Sequence, residues 1–276
     1  MSLKILFCSD GSSFSEAACR VALQLAKAHP DAVLTVMHVV NVKRAAKNIL
    51  QDLPGRLGFE PAVVSEEVER TYKQRGEEIL SEVVRDAELL GLSVTTLIET
   101  GAVAERISYH SRHADIVIVG MRGTTEDSHP GQGGGNLDQL LHSVTAPVLF
   151  VGRGHQKVDS IGLGYDGSEG AAHALKAAGM LAAALKVPLH TIFIATEGAS
   201  GAVLDECNEH YPDHDIQQHV VVDDDPHTAI ARVAEANGAN VIAVGFTGRS
   251  KLRDFLYGTA ADYILINTKL MVLVAH

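Results

Sequence analysis

The chain has 276 residues, 46% of them apolar and 21% charged, a composition that supports a buried core in a globular protein. Its formal net charge of −11 argues against a broad nucleic-acid or anionic-membrane surface, because both need an excess of Lys and Arg. The opening apolar run is too short for a signal peptide or a membrane span, and three scattered cysteines without CxxC spacing fit a reducing cytoplasm better than a disulfide framework.

From Lys4 a short apolar run, KILFC, leads to Asp10-Gly11-Ser12 and then into an Ala/Leu-rich stretch of helical period. A second run, VLTVMHVV, follows. The charged segment after it places Val64, Val68, Tyr72, Ile79, Val83 and Val84 between acids and bases, the pattern of an amphipathic helix. SVTTLI, DIVIVG and PVLFVG complete five runs, each short, continuous and apolar, as strands covered on both faces are. Cys8 on the first run is expected to be a core thiol, and His110 and His113 to lie on the surface of a helix.

The chain then repeats itself. SIGLGYDGSEGAAHALKAAGMLAAA from Ser160 restates the opening at an offset of 156 residues, with Asp166-Gly167-Ser168 in the same place. GANVIAVGFTG from Gly238 restates HADIVIVGMRG from His113, now at an offset of 125. The second copy has therefore lost the amphipathic helix and keeps a shorter segment, EGASGAVLDECNEHYPDHD, with at most a short helix before Pro212. Strands alternating with helices call for a parallel sheet with right-handed crossovers. The expected fold is α/β: two tandem doubly wound domains, 1–153 and 158–276, each a five-stranded parallel sheet with helices on both faces.

Ligands on such sheets sit beyond the carboxyl ends of the strands, where strand order reverses. Asp10 and Asp166 end the first strand of each half, and Gly120 and Gly245 end the fourth. In the second half Gly245, Gly248, Gly258 and Thr259 form G-x2-G-x9-G-T, with Arg249, Lys251 and Arg253 crowded between the last two glycines. Glycines open the backbone to close approach, and free amides at the turn and at the next helix start, expected at Thr259–Ile266, form an anion cradle.

At these residues the chain resembles the universal stress protein family in its tandem two-domain form, over nearly its whole length. The resemblance implies an adenine nucleotide alpha hydrolase-like fold and a site for ATP, ADP or AMP, with or without magnesium. It places Asp166 and Ile194 near the adenosine and Val244 and Gly245 along the ribose. Gly248, Arg249, Gly258 and Thr259 then surround the phosphates. Where the family often has a further small hydroxyl residue, this chain has Ala260 and Ala261. In the first half Asp10 and Val39 match the adenosine side, and Gly120, Gly123 and Gly133 the glycines. No Ser or Thr follows Gly133, and Glu126 and Asp127 replace the basic run, each opposing a triphosphate by about 1 kcal/mol. The first site is expected to be degenerate.

The resemblance further implies that the last strands, Val148–Val151 and Met271–Ala275, pair edge to edge as a pseudo-dimer within the chain, and that two chains associate as a homodimer. A stress-response regulator gated by nucleotide occupancy is the leading reading, with a slow ATPase or a nucleotide-free scaffold as alternatives. No P-loop or nucleophile elbow is present, and no catalytic or metal residue is assigned. Asp10 and Asp166 also stand where helix N-caps occur. In a cluster that also holds His219, Cys207, His210 and His214 have the Cys-x2-His-x3-His spacing of three metal ligands on one helical face, but Pro212 interrupts that helix, so a surface loop is expected there.

Overall fold

The computed structural model describes residues 2–42, 61–123, 137–195, 201–246, 264–265 and 268–276. The first half contributes strands β1 (Lys4–Cys8), β2 (Val33–Val40), β3 (Val94–Thr100), β4 (Ile116–Gly120) and β5 (Val148–Val151), and helices α1 (Ser13–Ala28), α2 (Pro61–Leu89), α3 (Val103–Ser111) and α4 (Leu137–Ser143). The second contributes β6 (Ile161–Gly164), β7 (Leu189–Ala195), β8 (Ile216–Val222), β9 (Val241–Gly245) and β10 (Met271–Ala275), with α5 (Glu169–Leu185), α6 (Asp205–His210) and α7 (Pro226–Ala236).

The strands form one ten-stranded sheet in the order β3-β2-β1-β4-β5-β10-β9-β6-β7-β8. All pairs are parallel within each half, and the central β5–β10 pair is antiparallel, with Leu149 opposite Leu273. The edge-to-edge pairing of the two copies is therefore observed inside one chain. Alternate strand residues feed two apolar layers. Ile5, Phe7, Leu149, Ala243 and Leu273 face α1, α2 and α5. Leu6, Phe150, Ile242, Val244 and Val272 face α3, α4, α7 and the helical pair Ile264–Leu265. Each layer contains residues of both halves, so the core continues across the join.

The amphipathic segment of the first half is a 29-residue helix, with Leu80, Val83 and Ala87 buried on the sheet. Its counterpart in the second half is a 3-10 turn, Gly201–Leu204, followed by the six-residue α6. This trimmed cover leaves Val220 and Val222 of β8 51% and 68% exposed. The link between halves is clipped by two amides. Gln24 accepts from Val158 N at 2.7 Å and donates to Val158 O at 2.9 Å, and Asn240 accepts from Asp159 N at 3.0 Å and donates to Lys157 O at 2.9 Å.

Candidate functional site

Strand order reverses between β1 and β4 in the first half and between β6 and β9 in the second, so each half has a crevice where ligands of open parallel sheets bind. The loop after β1 is built by local hydrogen bonds. Asp10 Oδ1 accepts from Ser12 N at 3.0 Å, and Ser12 Oγ accepts from Ser15 N at 3.2 Å. The second half repeats this: Asp166 Oδ1 accepts from Ser168 N at 3.0 Å, and Ser168 Oγ from Ala171 N at 3.2 Å. Asp10 and Asp166 are therefore not the helix caps; Ser12 and Ser168 are, because the cap must reach an amide three residues on. Each aspartate closes a turn two residues long, around a glycine held at positive φ, +75° at Gly11 and +76° at Gly167. A side chain is strained there.

The aspartate and the fourth-strand glycines share one crevice. A Cβ on Gly123 would stand 2.7 Å from Asp10 Oδ2, which places the carboxylate directly against the turn after β4. Gly120 lets that strand end pass the start of α1, since a Cβ there would meet Phe14 Cβ at 2.9 Å and Ser15 N at 3.0 Å. Gly245 does the same in the second half, where a Cβ would run into the Gly170 carbonyl in the first turn of α5. Both crevices thus have a helix N-terminus, with its free amides, pressed against the end of the fourth strand.

Val39 and Ile194, at the ends of the second strands, are half-buried at the same rims. Val244 is 3% exposed with its side chain in the core, so it offers a ligand only its backbone. Gly248, Arg249, Gly258, Thr259 and the helix expected at Thr259–Ile266, apart from the helical Ile264–Leu265, lie outside the described residues, as do Gly133, Glu126 and Asp127. The described part of each crevice brings together a carboxylate-closed loop, a half-buried apolar rim residue and a close-packed glycine at the end of the fourth strand.

A family model described as the universal stress protein family matches residues 1–152 and 202–276. The chain belongs to the universal stress protein family. It is 23% identical to a universal stress protein of Synechocystis sp., over 98% of each chain, and 28% identical to one of Mycolicibacterium smegmatis, over 99% of this chain and 96% of the other. Its fold is similar to the crystal structure of a universal stress protein from Archaeoglobus fulgidus, with a TM-score of 0.72 at 20% identity, covering 99% of this chain and 97% of that one. The tandem α/β architecture expected from the repeat is thereby matched by a solved relative along its whole length.

Several features near the universal stress protein crevices were not read in the sequence. Arg153, after β5, holds its guanidinium 4.8 Å from the Phe14 ring centroid at the first crevice, a cation–π contact. Tyr165, beside Asp166, donates to Glu206 Oε2 at 2.6 Å; burial first, and then that carboxylate, push its hydroxyl far above the usual tyrosine range. Phe246, directly after Gly245, packs edge-on against His142 and His276. Each involves residues remote in sequence, which periodicity does not connect.

The histidine-rich segment does not assemble. Cys207 is buried, with burial pushing its thiol to about 12. His210 Nδ1 bonds the Glu206 carbonyl at 2.9 Å, His214 Nε2 the Val187 carbonyl at 2.9 Å, and His219 pairs with His190 instead. Among the described residues no group of three or more His, Cys, Asp or Glu could hold a metal, and no helix is long and apolar enough to cross a membrane. Cys8 is half-buried, with burial raising its thiol strongly. His110 is paired with Glu99 at 2.8 Å, and His113 stands beyond the end of α3 rather than on it. A cleft of about 630 Å³, lined by Lys186, Val187, Tyr211 and His214, lies at the amino ends of β7 and β8, opposite the crevices, and contains none of the expected site residues.

Proposed function

We propose that the second half binds an adenine nucleotide, and that occupancy rather than turnover is the protein's output. The supporting observation is the first-half contact between Asp10 Oδ2 and the position a Gly123 side chain would take. It puts the first-strand aspartate and the fourth-strand glycine turn in one crevice. The second half carries the same Asp-Gly-Ser loop, the same helix start against Gly245, and in sequence the full G-x2-G-x9-G-T run that the first half lacks. Asp166 and the rim at Ile194 serve the adenosine. Gly248, Gly258, Thr259 and Arg249 serve the phosphates, as amides and a cation at a helix start do.

The test is binding of ATP, ADP and AMP by titration calorimetry, with and without magnesium, together with acid extraction of the purified protein and chromatography for adenine nucleotide. Saturable binding that is lost in a folded Gly258→Val variant and survives Gly133→Val is the expected result. No extracted nucleotide, no heat of binding and no rise in melting temperature with ATP would refute the assignment.

A further inference from the structure

The antiparallel β5–β10 pair sets Val148, at the start of β5, opposite Val274, near the end of β10. The end of α4 in the first half therefore lies beside the carboxyl-end mouth of the second. The contact made there is specific. The Phe246 ring is 5.2 Å from the His142 ring at 88°, and 4.9 Å from the His276 ring at 69°. Phe246 is 5% exposed and shares an apolar layer with Leu140 and Leu141 of α4. Its backbone N–H donates to the Ala275 carbonyl at 2.7 Å.

In sequence Phe246 lies inside Gly245-Phe246-Thr247-Gly248. Gly245 is held by its pairing with Ala275 of β10, and the buried Phe246 ring is the first side chain to anchor the motif after it. We propose that His142 of the first half is a positioning residue for the second half's nucleotide site, acting through Phe246; this rests on the reading of that motif as nucleotide-binding. An edge-to-face contact holds the Phe246 ring in one orientation, and with it the backbone directly after Gly245.

The experiment compares wild type, His142→Ala and His142→Phe as full-length chains. Nucleotide affinity is measured by calorimetry, and the amide resonances of Gly245, Phe246 and Gly248 are recorded in the nucleotide-free proteins. His142→Ala is expected to weaken binding by about threefold or more, the size of one aromatic edge contact, and to move those amides. His142→Phe, which keeps a ring edge, is expected to restore both readouts. Should His142→Ala not fold, His142→Gln takes its place with the same expectation.

Unchanged affinity in the ring-less variant overturns the proposal, as does equal loss in the Phe variant. If the wild type binds no adenine nucleotide, the functional reading fails, and the amides judge the contact alone. Resonances displaced by Ala and restored by Phe then uphold positioning by His142, and undisturbed resonances overturn it.

Discussion

Ser12 and Ser168 cap helices that the preceding aspartates only approach. The Asp-Gly-Ser repeat was plain in the sequence, but which oxygen reaches the third amide depends on a turn around a positive-φ glycine, and Asp and Ser both accept such bonds. The division of labour has a measurable consequence. Ser168→Ala removes the bond to Ala171 N and is expected to cost about 1 kcal/mol in urea unfolding. A second residue-scale prediction concerns Gly245. The sequence offered it as a ligand contact; the structure adds that a Cβ would strike the backbone of Gly170, which cannot swing aside as a flexible side chain would. Gly245→Ala is expected to destabilise the protein by about 1–3 kcal/mol, as read from its urea midpoint, even before nucleotide is added.

At the scale of elements, the strands and first helices were legible because short apolar runs and helical period are local signals. The histidines were not, because β-pairing decides their neighbours. His219 looked like part of a cluster with Cys207, His210 and His214; on β8 it lies within 3.1 Å of His190 Nδ1 on β7. Burial, and for His190 also the neighbouring imidazole, lower both values from the ordinary 6.5. A histidine whose folded value is depressed takes up its proton more readily when unfolded. The stability it confers is complete above about pH 6.5 and is lost as pH falls from there toward the folded value. Urea midpoints are expected to drop as pH falls below about 6.5, and His219→Gln is expected to flatten that slope. A slope unchanged by the substitution would mean that other groups carry it.

At the scale of the molecule, the doubling was legible as a repeat and the join was implied by family resemblance. The contacts across the join were not, since His142 and Phe246 meet only once β5 and β10 have been laid antiparallel. Leu149 and Leu273, opposite one another and fully buried, put both halves on one core. Leu273→Asp introduces an unpaired carboxyl there and is expected to destabilise the whole sheet by several kcal/mol, on the order of 3–5. Hydrogen exchange should then rise in β4 as well as β9. Loss of protection confined to β9 and β10 would show that the halves unfold independently.

The strands of one half run against those of the other, so the Asp10 and Asp166 loops open on opposite rims of the sheet. Ligands entering the two crevices therefore approach from opposite directions, one from above and one from below, and neither mouth can shade the other.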